Sequence, residues 1–165
     1  MDMKNNSINS SLMMHSFEKV CKSKGLKITH QRIEIFKTLL RHTNHPTIED
    51  VFDRVRKHLK TISLDTVYRT ISTFEDYGLI RRVHHIDNAT RLDVNISDHH
   101  HLVCKQCNEI EDFYWPDFNR MKPPKSISHW DQIGLKHVVI SGLCSDCKRR
   151  KVMAKNSRSD SQLFQ

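Results

Sequence analysis

Two cysteine pairs, Cys104-Lys-Gln-Cys107 and Cys144-Ser-Asp-Cys147, constrain the fold of this chain more than any other feature. Each pair follows a β-like run, as zinc knuckles do. In a knuckle a tight turn points two thiolates at one ion, and two knuckles complete a tetrahedral S4 set whose softness and geometry select Zn²⁺. Between Cys107 and Cys144 lie 36 residues, more than a zinc ribbon spans, so the ion closes a whole small domain. A thioredoxin-like pair would open a helix within a βαβ unit, and that pattern is absent from the sequence. The fifth cysteine, Cys21, lies on the apolar face of a predicted helix and reads as a packing residue.

Asp98-His99-His100-His101 stands directly before the first knuckle. In a strand, residues two apart face the same way, so His99 and His101 point together and His100 points away. Asp93 and Asp112 can supply oxygen beside these imidazoles. A nitrogen and oxygen set without thiolate suits Fe²⁺ or Mn²⁺ by hardness, whereas affinity order alone favours Zn²⁺, Ni²⁺ or Cu²⁺, leaving availability to decide.

The first half of the chain has a different pattern. Residues 1–10 are polar and read as disordered, with no apolar stretch of a secretory signal. A first helix runs from Ser11 to Lys24 with Met14, Phe17, Val20 and Cys21 inside, stopped by Gly25. Thr29 caps a second helix, with Ile33, Phe36, Leu39 and Leu40 on its inner face. Thr47 caps a third, with Val51, Phe52, Val55 and Leu59 inside, and Glu49 and Asp50 suit its dipole. Ser63 opens a fourth, with the stripe Leu64, Val67, Ile71, Phe74 and Gly78 just past its end. Strands at Leu79–His85 and Thr90–Asn95 follow, turning at Asp87 and Asn88. This order predicts a winged helix whose fourth helix enters the major groove.

Charge agrees with that division. Residues 1–96 hold 16 basic and 11 acidic side chains, and residues 97–150 hold 8 and 7. A basic surplus on the first half suits a domain that meets nucleic acid. Beyond Ser97 the sequence predicts strands at His100–Val103, Glu109–Tyr114 and Leu135–Leu143. It also predicts a short helix within Pro116–Ile127, broken by Pro123-Pro124. The tail 151–165 reads as disordered. No run approaches 18 consecutive apolar residues, so neither a membrane span nor a membrane partner is expected, and cysteine usage suits the cytoplasm.

On the fourth helix, Tyr68 and Arg69 fall opposite the apolar stripe. Arg69 has the geometry to bond guanine O6 and N7, and Tyr68 to meet a thymine methyl or the backbone. Ser63, Thr66 and Thr70 read as phosphate contacts, as do Lys27 and Arg32. No HExxH motif or positioned general base accompanies the histidines, so the chain does not read as an enzyme.

Several of these runs together carry a family resemblance. They are Thr29-His-Gln-Arg32, His45-Pro46, Leu64-Asp-Thr-Val-Tyr-Arg-Thr70, Tyr77-Gly-Leu79, Asp98 through Cys107, and Gly142-Leu-Cys-Ser-Asp-Cys147. From Phe17 to Lys148 the chain resembles the ferric uptake regulator superfamily of metal-dependent repressors, and within it the peroxide-responsive branch. The resemblance implies an α+β chain: a winged helix-turn-helix over residues 11–95, then a small α/β zinc-containing dimerisation domain over 96–150. It implies a homodimer on a palindromic DNA operator, with base readers at Tyr68 and Arg69. It also implies a structural Zn²⁺ on Cys104, Cys107, Cys144 and Cys147, and a regulatory Fe²⁺ or Mn²⁺ on His45, Asp93, His99, His101 and Asp112. In the peroxide-responsive branch ligand histidines are oxidised, here His45 and His99, and DNA is then released. Iron-sensing relatives commonly carry Glu where Asp93 and Asp112 stand. Asn108 replaces the Gly usual after the first knuckle, and Asn tolerates the left-handed conformation that turn needs.

Overall fold

The computed structural model describes residues 3–42, 44–84 and 90–160, and the chain divides into two compact units after Ile96. The first unit runs α1 (Met3–Ser23), α2 (His30–Arg41), α3 (Ile48–Val55), α4 (Leu64–Asp76), β1 (Arg81–His84) and β2 (Thr90–Asp93). Each predicted N-cap is in place. Thr29 accepts from Arg32 N–H, Ser63 accepts from Thr66 N–H, and Thr47 forms a reciprocal capping box with Asp50. The ends of α1 and α4 share one device. Gly78 adopts φ +68°, Leu79 N–H reaches Phe74 C=O at 2.8 Å, and Gly78 N–H reaches Glu75 C=O at 2.9 Å. This Schellman motif requires the left-handed residue that glycine supplies without strain, and Gly25 does the same after α1.

The helices close over an aromatic triad. Phe17 stacks on Phe36 with centroids 4.6 Å apart, and Phe74 meets both edge-on at 5.6 Å. Cys21, Ile35, Leu39, Val51, Val55, Val67 and Ile71 complete the core. Leu64, predicted to start the apolar stripe of α4, is instead exposed. It is the first helical residue, so the packed stripe begins one turn later at Val67. Strands β1 and β2 pair antiparallel, from Arg81 opposite Asp93 to His84 opposite Thr90, both shorter than the sequence predicts. The predicted Asp87–Asn88 turn lies outside the described residues. Arg82 ties the wing to α4 through Glu75 at 2.7 Å and Ser72 at 3.1 Å.

The second unit runs β3 (His100–Cys104), β4 (Ile110–Phe113), α5 (Pro116–Arg120), a 3-10 turn (Lys125–Ile127), β5 (Val139–Gly142) and α6 (Ser145–Asp160). Its sheet has the order β4-β3-β5, antiparallel between β3 and β4 and parallel between β3 and β5. The strand predicted over Leu135–Leu143 contracts to Val139–Gly142. Its N-terminal part is drawn elsewhere, because Lys136 Nζ donates to the carbonyls of Phe118, at 3.2 Å, Asn119, at 2.6 Å, and Met121 at the end of α5. A cation there satisfies orphan carbonyls and suits the helix dipole.

Both termini depart from the expected disorder. The first helix begins at Met3 rather than Ser11, and α6 continues to Asp160 where a disordered tail from 151 was expected. The physical reason is cooperativity: once packing or a cap has nucleated a helix, each further residue adds a hydrogen bond at little cost. Phe17 and Cys21 anchor α1 in the core. Cys144 starts α6, with Lys148 N–H on its carbonyl at 2.9 Å and Cys147 N–H on its sulfur at 3.5 Å. Residues 1–2 and 161–165 lie outside the described residues. Among those described, no helix is long and apolar enough to cross a membrane.

Candidate metal centres and nucleic-acid face

Parallel pairing of β3 with β5 places their C-terminal ends side by side, with Cys104 opposite Gly142. Cys104 ends β3, and Cys107 follows in a turn that closes through Asn108, whose φ of +57° is the left-handed conformation expected of it. Cys144 follows β5, and Cys147 lies in the first turn of α6. The four sulfurs lie within 4.8 Å of one another, and those of Cys107 and Cys144 are 3.7 Å apart. A tetrahedral zinc with Zn–S bonds of about 2.3 Å sets its sulfurs about 3.8 Å apart, which the Cys107–Cys144 spacing matches. The Cys144, Cys107 and Gln106 backbone N–H groups hold the Cys104 thiol down, to about 6, while burial pushes Cys147 up to about 12. Backbone donors at a helix start stabilise thiolate, the form that binds metal.

One turn earlier in the chain stands a second set of donors. His99 and His101 face the same way, with their Nε2 atoms 3.0 Å apart, and each lies 3.6 Å from Asp112 Oδ1. Register explains this: His101 pairs directly with Asp112 across β3 and β4. His99 Nδ1 lies 2.8 Å from the Ser97 carbonyl. A carbonyl can only accept, so Nδ1 donates to it, and Nε2 is the ring atom turned toward the cluster. Such outer hydrogen bonds orient metal-binding histidines. His100 turns to the opposite side, buried between Phe113 and Phe118, and its Nδ1 accepts from Val138 N–H at 3.2 Å. It is a packing residue.

The first unit carries another His–Asp pair. His45 Nε2 and Asp93 Oδ1 are 3.9 Å apart and both residues are buried. Leu92 N–H donates to Pro46 C=O at 2.9 Å, fastening the wing strand to the loop beside His45. His45 itself adopts φ +52°, uncommon for a residue with a Cβ. Strain of this kind, of order 1–3 kcal/mol, concentrates at functional sites.

On α4, Tyr68 is exposed and donates to Glu49 Oε1 at 2.5 Å, and Arg69, largely exposed, pairs with Asp65 at 2.9 Å. Ser63 and Thr66 sit at the helix start, joined through their hydroxyls at 2.8 Å. Arg32, in the first turn of α2, donates to the Lys27 carbonyl at 2.6 Å, so these two basic residues lie together at the start of α2.

Residues 23–140 match the profile of the ferric uptake regulator family. The chain belongs to that family. The family's coarse function follows: this is a metal-dependent transcriptional regulator. The chain is 30% identical over 129 residues to the peroxide-responsive repressor PerR of Staphylococcus saprophyticus, covering 77% of itself and 86% of that protein. It is similar to the iron-containing ferric uptake regulator structure of Francisella tularensis, with TM-score 0.63 and 29% identity over 75% of this chain and 96% of that one. A zinc-bound manganese uptake regulator is similar too, with TM-score 0.61 and 26% identity over 77% and 97%.

Within this member of the family, one predicted DNA contact is corrected. Thr70 is buried with Val67, Ile71 and Phe74 on the packing face of α4, so a phosphate cannot reach it. It lies three residues after Val67, and helical periodicity turns it inward. Sequence reasoning also missed partners of the candidate readers. Glu49 read only as an acid that suits a helix dipole and Asp65 was given no role, although its i,i+4 spacing to Arg69 signals the pair. The contact from Glu49 to Tyr68 joins two helices and has no local signature.

Proposed function

We propose that this regulator is a homodimeric, cytoplasmic repressor that senses hydrogen peroxide through a metal bound at its histidine cluster and then releases a palindromic DNA operator. The observation that carries the reading is the His99–His101–Asp112 set. Two Nε2 atoms 3.0 Å apart subtend about a right angle at an ion with bonds of about 2.1 Å, as octahedral coordination requires. Fe²⁺ and Mn²⁺ suit such a nitrogen and oxygen set better than a tetrahedral ion does. The family resemblance adds His45 and Asp93 as ligands. It also assigns Zn²⁺ to the four cysteines, and their sulfur spacing supports that.

Fe²⁺ there would promote a net two-electron oxidation of a ligand imidazole by hydrogen peroxide: one peroxide oxygen adds to the ring as 2-oxo-histidine, the other leaves as water, and any electron the iron passes to peroxide returns to it from the ring. His99 and His45 are the residues that match those oxidised in the peroxide-responsive branch. The Ser97 carbonyl keeps His99 aimed at the cluster, and loss of its Nε2 lone pair by oxidation weakens metal holding. Metal and DNA binding are thermodynamically coupled: the factor by which bound metal raises DNA affinity equals the factor by which DNA raises metal affinity, so a chain that loses its metal loses that factor of DNA affinity. On the DNA side, Tyr68 and Arg69 read bases, while Ser63, Thr66, Lys27 and Arg32 meet phosphates.

The similarity to an iron-bound and a manganese-type regulator favours a second reading, a metal sensor that does not oxidise itself. One experiment separates the two. The Fe²⁺-loaded chain receives stoichiometric peroxide under anaerobic conditions, and its tryptic peptides are weighed. A single added oxygen on peptides carrying His45 or His99, absent when Mn²⁺ replaces Fe²⁺, is the expected result. No added oxygen on either peptide leaves the non-oxidising sensor.

A further inference from the structure

The exposed candidate readers on α4 are already engaged, and in different ways. Arg69 pairs with Asp65 on its own helix, an exposed i,i+4 contact that exchanges readily for a guanine edge. Tyr68 instead reaches across to α3, where its hydroxyl donates to Glu49 Oε1 at 2.5 Å. Thr47 and Asp50 form the α3 capping box, and Glu49, in the same first turn, also interacts with its own backbone N–H and the Thr47 hydroxyl. It is exposed beside the recognition helix, and the phenol is the foremost partner of its carboxylate.

A phenol has one proton, and a carboxylate has none to return. With the Tyr68 proton on Glu49, the Tyr68 oxygen presents only lone pairs to anything approaching α4. Lone pairs cannot bond a phosphate oxygen, guanine O6 or N7, or thymine O4. They can accept from the exocyclic amines of adenine or cytosine, and the ring beneath remains available to a thymine methyl. The Glu49 charge adds repulsion against a phosphate at the same place. The hydrogen bond also pulls the two titrations apart: the Tyr68 hydroxyl holds the Glu49 carboxyl below its ordinary range, and Glu49 holds the Tyr68 phenol above its own.

We propose that Glu49 is a specificity-determining residue: it fixes the Tyr68 hydroxyl as an acceptor, denies that hydroxyl to phosphate, and so makes Tyr68 a base-selective contact without touching a base itself. The inference rests on the reading of α4 as the DNA-reading helix. It places specificity in a side chain on the neighbouring helix, where an inspection of the recognition helix alone would miss it.

The test uses the full chain loaded in turn with Mn²⁺, with Zn²⁺ and, anaerobically, with Fe²⁺. A duplex is selected from a random-sequence library by the wild-type protein. Its affinity and that of a scrambled duplex are then measured by fluorescence anisotropy at fixed salt. Glu49→Ala is expected to lower the selected-to-scrambled affinity ratio about tenfold, mainly by tightening binding to the scrambled duplex. Glu49→Gln, whose carbonyl still accepts the Tyr68 proton, should retain the ratio within about threefold. In a Tyr68→Phe background, Glu49→Ala should change the ratio less than about twofold. An unchanged ratio in Glu49→Ala overturns the proposal. So does the same tenfold drop in the Tyr68→Phe background, which would reduce Glu49 to a bare charge. Thermal melts of each variant check folding, since Glu49 lies in the first turn of α3. If the wild-type chain selects no duplex with any metal, the DNA-binding reading itself fails, a result distinct from a failure of the Glu49 cycle.

Discussion

The imidazoles of His99 and His101 face one another with Nε2 atoms 3.0 Å apart, while His100 between them points to the other side of the sheet. His101→Ala should therefore abolish tight Mn²⁺ binding, and His100→Phe should preserve it, because His100 packs against Phe113 and Phe118. Titration of each variant with Mn²⁺, followed by the electron paramagnetic resonance of the free ion, reads the difference. Equal Mn²⁺ affinity in His101→Ala and wild type would remove this pair from the regulatory site.

The knuckles make a separate prediction. Cys147 is buried, and its loss leaves three sulfurs around a position that needs four. Cys147→Ala should lose its stoichiometric zinc and the cooperative melting of the second unit, since structural zinc contributes roughly 10–16 kcal/mol to small zinc domains. Elemental analysis and calorimetry check both. Retention of zinc with an unchanged melt would show that the sulfurs cluster without holding an ion.

Phe17 is the most demanding position in the first unit. It is fully buried, stacked on Phe36 and edge-on to Phe74. Phe17→Ala should destabilise the winged helix by about 3–5 kcal/mol through lost burial and the cavity left behind. Urea melts measure this, and a loss under 1 kcal/mol would mean that the helices collapse to refill the space.

Acid should weaken the start of α3. The Thr47 backbone N–H holds the Asp50 carboxyl below its ordinary value of 3.8. A depressed folded-state pKa means that the stabilisation is fully present above the unfolded value and is lost as pH falls through the folded one. Asp50→Ala should then cost about 1 kcal/mol at neutral pH, as capping residues do, and progressively less in acid below the unfolded value. A cost independent of pH would place the effect in helix propensity instead.

Much of this was legible because it is local. Caps at Thr29, Thr47 and Ser63, the Gly78 stop, and the alternation of His99, His100 and His101 depend on neighbours within a few residues. The cysteine pairs were legible because metal chemistry fixes their spacing. What escaped is tertiary. Nothing in the sequence placed Lys136 on the carbonyls of α5, which shortened the last strand, nor Glu49 on Tyr68. Thr70 escapes because its hydroxyl suggests a phosphate contact while helical phase turns it inward. The ends of the chain escape because their polar composition hides helices already anchored at Phe17 and Cys144.

The parallel pairing of β3 with β5 has one more consequence. A strand joined to its neighbour through a long crossover has no hairpin turn to hold its alignment, and a slip by one residue would carry Cys144 about 3.3 Å along the sheet and reverse every side chain of β5. Such a slip would also break the four-sulfur geometry, because Cys144 follows β5 so closely. An ion gripped by both knuckles would thus be a registration pin, because only the aligned sheet brings the four sulfurs within reach of it.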